Sequence, residues 1–132
     1  MARSTLCQKN FPIYSFAWGP YSSQIAFVYD TNLCIQPMQT NLKPKSWIAH
    51  DCTVLKVDWS HVSNQIVSGG EECQYKNRDP LGRLRFASSP VDTLITAIAW
   101  STDGDFLAIG GYDVLYLCHQ SGVCCDIYRP KV

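Results

Sequence analysis

No stretch of this chain stays apolar long enough to cross a bilayer as a helix. The longest candidate, Phe106 to Cys118, is broken by Gly110-Gly111 and by Asp113, where about 20 consecutive residues are needed. Membrane insertion is therefore not expected. Neither sign of charge dominates, because eleven Lys and Arg balance eleven Asp and Glu. A general attraction to nucleic acid or to an anionic membrane is thus excluded, and such binding would require a local patch. Charge of any sign is scarce, at 17% against 46% hydrophobic residues, which separates the chain from disordered segments. The glycine pairs Gly69-Gly70 and Gly110-Gly111 lack the Lys-Ser/Thr that follows in a phosphate loop, so they read as tight turns between strands. Dense, regular cysteine spacing is missing too: seven cysteines are scattered along the chain, with no secretory leader pattern before them. A soluble chain in a reducing, cytosolic-type compartment is expected.

What the chain does have is a period. Trp18, Trp59 and Trp100 lie 41 residues apart, with Ile13, Val54 and Ile95 five positions before them and Phe16, Val57 and Ile98 two before. Further on, Gln24-Ile25-Ala26-Phe27, Gln65-Ile66-Val67-Ser68 and Phe106-Leu107-Ala108-Ile109 superimpose at the same offset. A repeat of about 40–45 residues is the length of a four-stranded propeller blade.

Helix signals are nearly absent, and each unit reads as short strands with period-two alternation and enrichment in Ile, Val, Tyr, Phe and Trp. In the third unit a first strand is expected over Ile95–Trp100, a hairpin turn at Thr102-Asp103-Gly104-Asp105, and a second strand over Phe106–Gly110. Asp103-Gly104 suits the turn because glycine takes positive φ without steric cost. Equivalent turns are Gly19–Ser23 and Ser60–Asn64. Third strands are expected through Leu33–Ile35, Gln74–Lys76 and Leu115–Leu117, and fourth strands through Trp47-Ile48, Leu84–Phe86 and Cys125–Ile127. The expectation is an all-β chain forming a partial, open β-propeller of about three four-stranded blades. Its parts would be residues 1–10, the outer strand of an incomplete preceding blade around Arg3–Cys7, then 11–50, 51–90 and 91–132 for blades one to three. Propellers close with about four to eight blades. Three therefore suggest either a fragment, the favoured reading, or a short form that closes by pairing with another chain.

Several strings then carry a family likeness. Tyr14-Ser15-Phe16-Ala17-Trp18-Gly19-Pro20, the Ala49-His50-Asp51 joint leading to Leu55-Lys56-Val57-Asp58-Trp59, and Gly70-Glu71-Glu72-Cys73-Gln74-Tyr75-Lys76 resemble the WD-repeat family. Within it they are similar to the first propeller of the intraflagellar transport protein 80 family, a likeness that continues through Ile98-Ala99-Trp100 and Asp103-Gly104. The resemblance implies a non-catalytic scaffold subunit of intraflagellar transport complex B, acting in cilium assembly through protein–protein contacts. It also implies the other complex B subunits as partners, and the cytoplasm, cilium and ciliary base as location. One departure stands out. Where a WD repeat ends its third strand in Trp-Asp, this chain has Arg78-Asp79-Pro80. Of the hydrogen-bonded set that the family uses in each blade, His50 and Ser68 could fill two places, but Arg78 removes the indole donor. Blades one and three lack the dipeptide as well.

Each candidate site has a plainer reading beside it. The three tryptophans could form a stacking platform for single-stranded nucleic acid, but their shared place at the end of the first strand points to packing between blades. His50 with Asp51 could be a proton-transfer pair, yet no nucleophile stands beside it and a structural joint is expected. Cys118-His119 and Cys124-Cys125 are the nearest approach to a metal cluster. Neighbours on a strand point to opposite faces and chelate poorly, so buried or half-buried thiols are expected instead. Lys76, Arg78, Arg83 and Arg85 form the one local basic concentration, either a solvated face or a surface for an acidic partner. No catalytic residue, cofactor, metal or small-molecule substrate is expected. The structural repeat set is Trp18, Trp59, Trp100, His50, Asp103 and Gly104. The alternatives are a WD-repeat adaptor of another complex, such as a trafficking coat or ubiquitin-ligase receptor, and an enzyme using the Cys118, His119 and Cys124 region.

Overall fold

The computed structural model describes residues 10–130, so the strand expected around Arg3–Cys7 lies outside the described residues. Twelve strands form three four-stranded antiparallel sheets, each a meander in chain order. The first holds β1 (Ile13–Trp18), β2 (Gln24–Tyr29), β3 (Asn32–Pro37) and β4 (Lys45–Ile48). The second holds β5 (Val54–Ser60), β6 (Gln65–Gly70), β7 (Tyr75–Arg78) and β8 (Leu84–Ala87). In the third are β9 (Ala97–Trp100), β10 (Phe106–Gly111), β11 (Val114–His119) and β12 (Cys124–Tyr128). The one helical segment among the described residues is a 3-10 turn at Pro20–Ser22. These sheets are the blades of an open β-propeller.

Local chemistry explains the turns. Between second and third strands the chain reverses in two residues in blade one, where Tyr29 faces Asn32, and in blade three, where Gly111 faces Val114. Asp30 and Asp113 take the left-handed conformation there, with φ of 50° and 59°, which Asp tolerates better than most residues because its carboxylate can bond locally. Blade two differs. Gly69 faces Tyr75, and the wider loop puts the left-handed residue at Cys73, φ 63°. The inserted residue shifts β7 by one position against the 41-residue period, so that Tyr75, and not Gln74, matches Leu33 and Leu115 beside the second strand. A one-residue shift reverses which side chains face which blade.

The first strands also depart from a uniform period. Register breaks fall between Ile13 and Ser15 and between Val54 and Lys56. In blade three the strand begins at Ala97, two residues later than expected, because the Ile95 amide crosses to the Gly70 carbonyl of blade two at 3.0 Å. The Val54 amide likewise reaches Asp30 of blade one at 2.7 Å. Backbone hydrogen bonds thus tie each blade to the one before it.

The core lies between the sheets. At the first joint Ala26, Val28, Leu33 and Ile35 of blade one meet Val57, Trp59 and Ile66 of blade two. The second joint packs Val67 and Tyr75 of blade two against Ile98, Leu107, Ile109 and Cys118 of blade three. In both, the forward face of one blade meets the backward face of the next, and residues at successive positions of the second strand alternate between joints, as Ile66 and Val67 do. Phe16 occupies the place in blade one that Val57 and Ile98 hold in the other blades, but it is 62% exposed where they are 1% and 4%. Among the described residues nothing covers the backward face of blade one.

Candidate functional site

The most connected polar cluster forms at the joint between blades one and two. Ala49 and His50 follow β4, and the imidazole, 1% exposed, is inserted toward β6 and the wide β6–β7 loop. Its Nε2 lies 2.8 Å from the hydroxyl of Ser68, and its Nδ1 meets Glu72 Oε1. A carboxylate can only accept, so Nδ1 carries the proton, and Nε2 accepts from the Ser68 hydroxyl. Glu72 Oε2 accepts the Asp51 amide at 3.2 Å, and Lys76 stands 3.6 Å from Oε1. The carboxylate that orients His50 is therefore Glu72, and Asp51 contributes only its backbone N–H.

Arg78 completes the joint from β7. It is buried, and one of its amino groups donates to the Ala49 carbonyl at 2.9 Å, beside a Lys76 contact to the same oxygen at 3.3 Å. The expected exposed basic face thus loses two of its four members. The one-residue shift of β7 turns Lys76 and Arg78 toward blade one, while Arg83 and Arg85 remain exposed. Arg83 pairs with Asp79 at 2.7 Å, and Asp79 Oδ1 also accepts the Leu81 and Arg83 amides at 2.9 and 3.0 Å. The Asp that follows Arg78 is a turn cap.

Burial dominates the His50 imidazole and holds it below its ordinary value, outweighing the upward pull of Glu72. Burial pushes the Glu72 carboxyl up, but His50, the Asp51 amide and Lys76 together bring it below the usual range. The order Ser68, His50, Glu72 matches that of a nucleophile, base and orienting acid. Ser68 is 0% exposed and sits under the joint, so a substrate has no approach to it. The arrangement satisfies polar groups between two blades.

The tryptophans hold three different environments. Trp59 is 4% exposed, donates Nε1–H to Asn64 Oδ1 at 2.9 Å and lies flat against Gly19, where an added Cβ would stand 2.8 Å from the ring. Trp100 is clamped by Asp58, whose side chain accepts the Trp100 amide at 2.8 Å and whose carbonyl accepts the indole at 3.3 Å. Trp18 is 43% exposed. Its carbonyl accepts His61 Nε2–H at 2.7 Å. Asp103 Oδ1 takes the Ser101 hydroxyl at 2.6 Å and the Asp105 amide at 3.0 Å, and Gly104 turns the chain with φ +75°. Ser15, which the period did not single out, bridges to Val57 of blade two through its hydroxyl, 3.2 Å from the amide and 3.4 Å from the carbonyl.

A second feature is a cleft of about 450 Å³ between the outer strands of blades two and three, bounded by Tyr75, Phe86, Tyr116, Cys118, Cys124 and Ile127. Cys118 is buried at its floor, whereas Cys124 and Cys125 are exposed. His119 bonds Ser121 at 2.9 Å.

Comparison with known proteins agrees with this geometry. The WD domain, G-beta repeat, matches residues 81–113. Intraflagellar transport protein 80 homologues of Rattus norvegicus and Mus musculus are each 42% identical to the chain over 131 residues, 99% of its length. The chain spans 17% of the length of those relatives. A chain in a crystal structure of the mitotic checkpoint complex superimposes with a TM-score of 0.79 at 14% identity, covering 89% of this chain and 39% of that one; at that identity the likeness concerns the fold. The chain is a run of β-propeller blades that matches the WD repeat over residues 81–113 and resembles, along nearly its whole length, part of the intraflagellar transport protein 80 homologues.

Proposed function

We propose that the chain is part of a non-catalytic scaffold subunit of intraflagellar transport complex B, acting in cilium assembly through protein–protein contacts. The observation that carries this reading is 42% identity sustained over 99% of the chain. The location that goes with it is the cytoplasm, the cilium and the ciliary base. Rigid blades hold loops and outer strands at fixed angles, and several weak contacts on one particle add through effective concentration. On blade two the rim around Arg83 and Arg85 is the exposed basic surface on offer to an acidic partner. Arg85 is the stronger candidate, because Arg83 already pairs with Asp79.

The test is affinity capture of the tagged chain, in its full-length setting, from ciliated cells, with the recovered subunits identified by mass spectrometry. Transport-particle subunits are expected, with reduced recovery for Arg85→Glu. Recovery of coat or ubiquitin-ligase subunits in their place would replace this reading with that of an adaptor elsewhere in the cell.

A further inference from the structure

Three of the seven cysteines fall within eight residues of each other at the end of blade three, and the fold sorts them. Cys118 on β11 and Cys124 on β12 are direct cross-strand partners. Cys125, the next residue along β12, is exposed and does not line the cleft that Cys118 and Cys124 share. Opposed residues in an antiparallel pair have Cα atoms about 4.5–5.5 Å apart. Disulfides form across Cα separations of about 4.4–6.8 Å, a range that includes this spacing. Both members of the pair line the cleft between blades two and three, whose volume of about 450 Å³ admits water-sized molecules to the buried Cys118.

We infer that Cys118 and Cys124 are a reversible dithiol–disulfide site, oxidised by hydrogen peroxide, that fastens the outermost strand of blade three. The roles follow from exposure. The exposed Cys124 thiolate attacks one peroxide oxygen: an S–O bond forms, the O–O bond breaks and the departing hydroxide leaves as water, giving a sulfenic acid. The Cys118 thiolate then attacks the Cys124 sulfur, forming the S–S bond and breaking S–O, and the second hydroxide leaves as water with the proton that Cys118 gave up. Two thiols and one peroxide give one disulfide and two waters. Burial raises Cys118 above its ordinary value, which disfavours its thiolate and leaves the first attack to the exposed Cys124. In a reducing compartment such a bond forms only under oxidant and is undone by thiol exchange.

The strand it would fasten is exposed at every residue and pairs within its sheet with β11 alone. Oxidation would therefore act on the element of blade three with least burial, at the rim of the cleft. This inference stands on the register of one hairpin and does not depend on which complex the chain joins.

The 132-residue chain is treated with hydrogen peroxide, free thiols are alkylated, and a peptic digest is mapped by mass spectrometry. The expected product joins Cys118 to Cys124, forms equally in Cys125→Ser, fails to form in Cys124→Ser and disappears on adding dithiothreitol. Amide exchange over Cys124–Tyr128 is expected to slow by about tenfold on oxidation of the wild-type chain. Because Cys118 is part of the core, the test rests on the two exposed cysteines. A disulfide from Cys118 to any other cysteine, a Cys124–Cys125 bond, or a Cys118 still open to alkylation after peroxide overturns the inference.

Discussion

At the scale of single residues, the His50 joint shows how a buried polar set pairs most of its groups, one amino group of Arg78 being left without a partner among the described residues. Ser68, His50 and Glu72 form one chain of hydrogen bonds, while Arg78 and Lys76 hold the Ala49 carbonyl. Ser68→Ala leaves His50 Nε2 without a donor in a dry site and is expected to cost about 1–3 kcal/mol, measured by denaturant unfolding. The joint is also sensitive to pH in a definite direction. Burial holds His50 below 6.5 in the folded chain, so just below that pH the unfolded chain binds the proton and the folded chain does not. Stability is full above about pH 6.5 and is lost as pH falls toward the folded value. Glu72, held below 4.5, adds a second loss as pH falls past 4.5. Thermal melting from about pH 7.5 to 5.5 is expected to show a declining midpoint for the wild type. His50→Gln should be less stable at the upper end, with a flatter slope. Parallel slopes would assign the titration to another group.

At the scale of elements, the spacing of apolar residues and turn formers carries most of the strand pattern, because both reflect local chemistry. Alternation in Ile95–Trp100 and Phe106–Gly110 and the Asp103-Gly104 turn lead directly to β9 and β10, apart from Ile95, whose amide crosses to blade two, and Thr96 beside it. What a fixed period hides is the extra residue in the β6–β7 loop. That residue decides that Glu72 reaches His50 and that Arg78 points inward. A signal existed: the pair Glu71-Glu72 stands where the other blades have an aspartate, Asp30 or Asp113, and glutamate is less suited than aspartate to the left-handed conformation that the two-residue reversal needs. The Cys118–Cys124 pair was hidden for a related reason, since its register depends on a break between Leu117 and Cys118 that spacing alone does not reveal. The β11–β12 turn can be tested through Gly122, which has φ +98° and would place a Cβ 2.3 Å from the Phe86 ring of blade two. Gly122→Ala combines left-handed strain with overpacking and is expected to destabilise by about 2–4 kcal/mol. A lowered urea midpoint with an unchanged slope would verify it.

At the scale of the whole molecule, each joint is built by laying the backward-facing residues of one blade on the forward-facing residues of the blade before. Blade one has the backward-facing set, with Phe16 and Trp18 exposed at 62% and 43%, and no sheet against it among the described residues. An apolar face of that kind promotes association. Register makes a controlled comparison possible, because Phe16 and Val57 are the same position in successive blades, one open and one buried at 1%. Phe16→Glu puts a charge on a face that solvent already reaches and should change the unfolding midpoint by no more than about 0.5 kcal/mol. It should also reduce self-association of the isolated chain, seen as a smaller weight-average mass in sedimentation or light scattering. Val57→Glu puts the same charge into the first joint, where it has no partner, and should abolish cooperative unfolding. If both variants unfolded alike, the two faces would share one environment and the blade order deduced from the core would be wrong. If Phe16→Glu left the mass distribution of the wild type intact, association would have to arise elsewhere, and the forward face of blade three, around Leu115 at 41% exposed, is the next surface to charge.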